Sequence, residues 1–216
     1  MFAPERIEVE ELLDAHDAPR EDVERSLLDL QRINRWLGGI PIYRALVRRF
    51  RPRSILDIGT GTSDLLESVP HVPLRIGLDF KIDHLLYPRN DARVLRVVGD
   101  ARRLPFRDDA VDLITSAHFV HHFSPDDNVA MFDEALRVSR IGVAANDTQR
   151  HYAPLLFVRL LGALGLFGRI TVHDAPASVR QAYTTGEARA IADRTRASRS
   201  KVLTKWPFRF AILLWK

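Results

Sequence analysis

The spacing of apolar residues changes near residue 54. Upstream, Val23, Leu27, Leu30, Ile33 and Leu37 recur every three or four positions, which is the period of one helix face. Asp17-Ala18-Pro19 gives this helix a cap-like start, and Gly38-Gly39 gives it a stop. The pattern predicts two more helices there, over residues 9–15 and 42–50. Downstream, the apolar residues gather into short runs at 54–58, 75–79, 94–98, 111–116 and 141–145. These read as buried strands, with helical stretches between several of them, the clearest at 127–138. Such alternation predicts a parallel sheet covered on both faces. Residues 185–196 read as a further helix. Residues 201–204 and 208–215 read as a final antiparallel pair joined at Pro207.

One segment departs from this scheme. Between residues 152 and 170, Leu155, Leu156, Phe157, Leu160, Leu161 and Leu164 leave almost no polar side to a helix. A surface helix needs a polar face. The expectation is a helix covered on several sides, or one that covers an apolar ligand.

Composition narrows the picture. With 216 residues, 46% hydrophobic and 28% charged, the chain suits a single globular domain. It has no cysteine, which excludes a disulfide framework, a thiolate zinc site and a cysteine nucleophile. Met1-Phe2-Ala3-Pro4 is not followed by an apolar signal core, and the apolar run at 153–167 falls short of the roughly 20 residues of a membrane span. A cytoplasmic protein is expected. The net charge of +4 is unevenly placed: −2 over residues 1–50, −3 over 51–147 and +9 over 148–216. An acidic partner would meet the last third.

The first predicted strand runs into Asp57-Ile58-Gly59-Thr60-Gly61-Thr62-Ser63-Asp64. Two glycines one residue apart allow a tight turn and close approach of a ligand to the backbone. A dinucleotide fingerprint would carry a third glycine at position 64, where Asp64 would instead repel a pyrophosphate. The phosphate-loop pattern also fails, since no Gly-Lys-Ser/Thr follows. A ligand bearing a positive charge and a ribose fits better. Asp57 ends the first strand. Asp79 ends the second and can accept from two ribose hydroxyls. Asp100 follows the third and can accept from an adenine amino group, with Phe80 offering the ring an apolar face.

Four ordered motifs now stand at strand ends: the Asp57–Gly61 loop, Gly77-Leu78-Asp79, Gly99-Asp100-Ala101 with Leu104-Pro105-Phe106, and Val111-Asp112-Leu113-Ile114. In this order the chain resembles the class I S-adenosylmethionine-dependent methyltransferases, over roughly residues 50 to 216. The exit of the fourth strand, Ala117-His118-Phe119-Val120-His121-His122-Phe123, looks like the small-molecule branch that includes quinone-biosynthesis and phenol methyltransferases. Leu30-Gln31-Arg32-Ile33-Asn34-Arg35 and Ser178-Val179-Arg180-Gln181-Ala182-Tyr183 are similar to bacterial members of that branch.

The resemblance implies a doubly wound, mostly parallel α/β sheet of seven strands, the Rossmann-like methyltransferase fold, with one antiparallel strand and an N-terminal helical extension. The expected division is a helical cap over 1–50 and a methyltransferase domain over 51–216, with a substrate-lid insertion at about 149–184. The implied cofactor is S-adenosylmethionine. Asp57, Gly59, Thr60, Gly61 and Asp64 would lie around its methionine part, Asp79 at the ribose, Asp100 and Ala101 at the adenine with Phe80, and His118 in the pocket wall.

In such a sheet, ligands bind beyond the carboxyl ends of the strands. This places His121 and His122 near the transferable methyl, as candidate general bases, with His173 as the third. Asn146-Asp147 ends the fifth strand, where a carboxylate could orient a base. The expected reaction is methyl transfer to a small aromatic or lipophilic acceptor, with oxygen favoured over carbon. The alternatives are a nucleic-acid methyltransferase and a non-catalytic cofactor-binding protein. Against the first, Ser116-Ala117-His118-Phe119 stands where base-amino enzymes of the family carry Asn/Asp-Pro-Pro-aromatic, so no nucleic-acid partner is favoured. Histidines without a carboxylate at ligand spacing predict no metal site. Peripheral membrane contact remains open, as does the choice between monomer and homodimer.

Overall fold

The computed structural model describes residues 3–14, 18–87 and 93–216. Two helices come first, α1 (Arg20–Trp36) and α2 (Gly39–Phe50). Then follow β1 (Ser54–Ile58), α3 (Asp64–Glu67), β2 (Leu74–Asp79), α4 (Ile82–Leu86), β3 (Val94–Val98), β4 (Val111–Ala117), a 3-10 turn (Val120–His122), α5 (Pro125–Val138) and β5 (Ser139–Thr148). The chain continues through α6 (Tyr152–Ala163), α7 (Arg169–Gln181), α8 (Thr185–Ala192), β6 (Arg199–Lys205) and β7 (Arg209–Trp215).

The strands form one sheet in the order β3-β2-β1-β4-β5-β7-β6. β7 runs antiparallel to both of its neighbours, while the pairs among β1 to β5 are parallel. Consecutive residues of a strand point to opposite faces, and the core divides accordingly. Leu56 and Ile58 of β1, with Phe210, Ile212 and Leu214 of β7, pack beneath α5 and α8. Ile55, Ala211 and Leu213 pack beneath Tyr43, Leu46 and Val47 of α2. α2 therefore forms part of the covering layer of the sheet. β1 is buried along its whole length, as a central strand covered on both faces should be.

Several helix ends have identifiable caps. Ser124 caps α5 by accepting from the Asp127 amide, with Pro125 in the first turn. Thr184 and Glu187 form a capping box on α8. α8 ends at Ala192, short of the expected 196, because the Ala192 carbonyl is taken by Thr195 Oγ1 at 2.7 Å. β5 is longer than its apolar run because it pairs on both sides, with β4 and with β7.

Two expectations need correction. Residues 9–14 carry no helix, only a turn at 12–14; Ala15 and the Asp17 cap lie outside the described residues. The apolar segment 152–170 is not one covered helix. It breaks at Gly165, whose φ of 71° is left-handed, and restarts as α7 behind Gly168. α6 packs on α7 through Leu155, Val158 and Val179. Its other side, with Leu156 at 62% exposure and Leu160 and Leu164 one and two turns further on, faces outward.

Candidate active site

A cavity of about 460 Å³ lies beyond the carboxyl ends of β1, β2 and β4. All ten residues expected at the cofactor line it, from Asp57 and the Gly59–Gly61 loop to Asp79, Phe80, Asp100, Ala101 and His118. His121 and His122 line it as well. His173 is not among the lining residues: it stands on α7 with an exposed side chain and Nδ1 2.8 Å from its neighbour Asp174.

One half of the cavity is built from strand ends. Gly59 has a φ of 66°, and a Cβ there would stand 2.5 Å from Phe119 Cγ. Gly61 has a φ of 51°, with open space where its Cβ would be. Both positions thus require glycine, one for packing and one for access. The loop is tied to β2: the Thr60 amide donates to the Leu78 carbonyl at 3.1 Å and the Gly61 amide to Asp79 Oδ2 at 2.8 Å. Burial raises the Asp79 carboxyl, but the hydrogen bond and charge of His84 and the backbone amides outweigh it and leave it lowered. Asp79 is therefore an anion at neutral pH, with lone pairs to spare.

Asp57 sits deeper, at the end of a relay. Tyr43 and Thr115 hydroxyls are 2.9 Å apart, and Thr115 donates to Asp57 Oδ1 at 2.5 Å. Burial pushes the Asp57 carboxyl up to about 6, against the Thr115 and Thr60 hydrogen bonds. Burial likewise raises Asp64, which accepts from Asn34 of α1 at 3.1 Å. Asp100 is already engaged by Arg102, through Nη2 at 2.8 Å and Nε at 3.1 Å. Phe80 keeps its ring uncovered, at 68% exposure. His118 adopts a left-handed φ of 52° and its buried Nε2 has no hydrogen-bond partner among the described residues. Burial, then the Arg209 charge, lowers it to about 3, so it is neutral.

The other half is closed by a strap, residues 4–14. Arg150 holds the Pro4 carbonyl at 2.5 Å, and Arg6 reaches the Phe123 carbonyl at 3.0 Å. The Leu12 and Leu13 amides both donate to Asp174, each at 2.9 Å. The strap brings Glu11 and Asp14 onto the two histidines. His121 Nδ1 lies 2.9 and 3.0 Å from the two oxygens of Asp147, and its Nε2 lies 3.4 Å from Glu11 Oε1. Burial pulls His121 down, but the Asp147 charge and hydrogen bond, joined by Glu11, push it up to about 10. Glu11 and Asp147 answer in kind: burial raises both, and His121 more than offsets this, leaving each at about 2. His121 is thus a buried cation between two anions, not a free base. His122 differs. Burial, then the His121 charge, lowers it, so it stays neutral with Nδ1 3.4 Å from Asp14.

The sequence reading missed Glu11, Asp14, Asn34 and Ser178 as wall residues. Ser178 and Gln181 lay in a quoted motif without a role. Glu11 carried no local signal, because its partners are more than 100 residues away. It also completes a group with His121 and His122 whose ligand-type atoms lie within 4.8 Å of one another, which spacing had not predicted. Both ring nitrogens of His121 are engaged in its ion pairs.

The strand order, the antiparallel β7 and the carboxylates ending β1 and β2 define the Rossmann-like methyltransferase fold. Residues 55–142 match the family model described as a methyltransferase domain. A SAM-dependent methyltransferase from Aquifex aeolicus superposes with a TM-score of 0.66 at 16% identity, covering 89% of this chain and 97% of that one. Human N-acetylserotonin methyltransferase, solved in complex with SAM, also gives 0.66, at 14% identity over 92% of this chain and 56% of that one. Demethylmenaquinone methyltransferase of Roseiflexus sp. (strain RS-1) is 39% identical over 109 residues, which are 47% of this chain and 45% of that relative. The match thus spans about half the length of the curated relative. Among the described residues no helix is long and apolar enough to cross a membrane.

Proposed function

We propose that the chain is an enzyme that transfers the methyl group of S-adenosylmethionine to a hydroxyl of a small, lipophilic aromatic acceptor of the phenol or quinol type. The observation that carries this reading is a single cavity lined both by the glycine loop with its strand-end carboxylates and by a neutral histidine. The walls suit the cofactor: Gly61 leaves space, Phe80 offers a ring face, and His118 Nε2 lacks a partner among the described residues. Asp79 would hold the ribose, Asp100 and Ala101 the adenine beside Phe80, and the Asp57–Asp64 loop the methionine part. When bound, the cofactor supplies an electrophilic methyl on a positively charged sulfur, and buried carboxylates favour that charge.

His122 then serves as the general base. Asp14 beside Nδ1 favours the tautomer protonated there, which leaves Nε2 to accept the acceptor's proton. His121 and Asp147 position the acceptor side of the cavity and do not take up the proton. The relative's name supports a quinol-type acceptor. The acceptor's lipophilic character is supported by the α6–α7 hairpin, which presents an apolar stripe and exposed Arg159 and Arg169. No Asp or Glu occurs between residues 148 and 173. This combination suits docking to an anionic lipid surface. Flotation with vesicles rich in anionic lipid tests the docking; equal flotation with neutral vesicles, or a stable dimer that buries α6, overturns it.

The central test is calorimetry with S-adenosylmethionine and its demethylated product, S-adenosylhomocysteine, followed by turnover of labelled cofactor against phenols, quinols and lipid-like aromatics. No heat with either compound sinks the reading. Turnover only on RNA or DNA replaces it with the nucleic-acid alternative.

A further inference from the structure

The strap does more than cover the cavity: it inserts a carboxylate into a preformed set of donors. Glu11 Oε1 receives Ser178 Oγ at 2.6 Å and Gln181 Nε2 at 3.0 Å, and His121 Nε2 stands 3.4 Å away. All three groups converge on one oxygen. His121 is held from β5, Ser178 and Gln181 by their place on α7, and the Gln181 side chain also by Val9 of the strap. Asp147 fixes the ring of His121 through both of its oxygens and also accepts from the His121 amide at 3.0 Å. Gln181 has its amide oriented by the Val9 N–H, which donates to Oε1 at 3.3 Å. Ser178 and Gln181 lie three residues apart on α7 and so share a face. Glu11, Ser178 and His121 also line the cavity.

Building on the methyl-transfer reading, we propose that this donor set is the subsite for a carboxylate of the acceptor, and that Glu11 occupies it as a built-in stand-in. The acceptor is then a hydroxylated aromatic acid whose carboxylate replaces Glu11 while its hydroxyl lies toward His122.

Charge balance is the main physical argument. Glu11, Asp14 and Asp147 face two cations, His121 and the buried Arg209 that acts on Asp147, so this half of the cavity is already net anionic. An acid entering beside Glu11 would be repelled, and two carboxylates cannot share the three donors. Exchange of one carboxylate for another leaves the buried charge unchanged, and every donor keeps a partner. The backbone allows the exchange. The strap is anchored on either side of Glu11, by Val9 and by Leu12 and Leu13, so a rotation of the Glu11 side chain vacates the site while the strap stays in place.

The test uses the full chain loaded with S-adenosylhomocysteine, with benzoate as the probe and benzamide as its neutral counterpart. Glu11→Ala should bind benzoate at least about tenfold more tightly than wild type, with no such gain for benzamide. Adding Ser178→Ala should return most of that gain. Glu11→Gln keeps the shape, removes the charge and serves where the alanine variant fails to fold. It too should favour benzoate over benzamide relative to wild type. If folded variants gain nothing for benzoate, or gain equally for benzamide, the subsite is overturned. Binding of S-adenosylhomocysteine is read separately, so its loss in wild type would strike the methyl-transfer reading instead, with the benzoate result still legible.

Discussion

The two halves of the cavity are built by different means. The half around Asp57, Gly59 and Asp79 is built on strand ends and the loop that joins them; backbone amides tie the loop to β2, while hydroxyls of Thr115 and Tyr43 hold Asp57. The half around His121 and His122 consists of side chains brought from the strap, the 3-10 turn, β5 and α7. The first is held by the sheet itself. The second is held by ion pairs that can be exchanged without disturbing the sheet. A common cofactor suits the former construction, and a variable acceptor suits the latter.

The largest effect should come from breaking the first half. Gly59→Ala places a methyl group against Phe119 in a left-handed backbone. Strain of this kind costs about 1–3 kcal/mol before the clash is counted. The affinity for S-adenosylhomocysteine measured by calorimetry should fall about 100-fold in a folded protein. A variant that binds within threefold of wild type removes the claim that backbone packing sets this half.

Next is His122→Ala, which should lower kcat about 100-fold, the lower end of general-base contributions, while cofactor affinity stays within about twofold. Parallel loss of both would merge the two halves into one unit.

The ion pairs predict a pH signature. His121 is raised from 6.5 to about 10, so its contribution to stability is complete below 6.5 and is lost as pH climbs toward 10. Arg209, which burial lowers to about 10, begins to titrate only at the upper end of that window, where the loss of its buried charge works against the fall. Melting temperature should therefore fall from pH 7 to pH 10 in wild type. His121→Asn should start lower and stay flat over that range. A wild-type curve without the fall would show that His121 is not a buried cation.

The smallest stability change belongs to α6. Leu156→Glu with Leu160→Glu touches only the outward stripe, so unfolding free energy should move by no more than about 0.5 kcal/mol per substitution. Acceptor KM should rise while cofactor affinity holds. If cofactor affinity collapses equally, α6 has no separate role on the acceptor side.

These differences also decide what could be read from the chain. β1 falls on its expected residues, because a buried strand is a local run of apolar side chains bounded by turns. β3 also keeps its bounds but is not buried: it is the edge strand, and Leu95 and Val98 face outward. The glycine loop and Asp79 were legible because they stand at fixed positions relative to those strands. Asp147 was legible as a carboxylate at a strand end, though its ion pair with His121 was not. Glu11 was invisible, since its meaning depends on Ser178, Gln181 and His121, all more than 100 residues away. The apolar segment misled for another reason. Periodicity reports which residues shun water, not whether this chain supplies the cover, and α6 turns its stripe outward.

The sheet order has a consequence for how the chain is made. β5 pairs with β7 along Gly142–Thr148, yet residues 149–208 are synthesised between the two strands. At translation rates of roughly 5–20 residues per second, β5 waits several seconds with one edge bare. An unpaired, apolar strand edge is a template for another chain. The nascent protein is therefore most exposed to mispairing after its ligand loops exist and before its last strand leaves the ribosome.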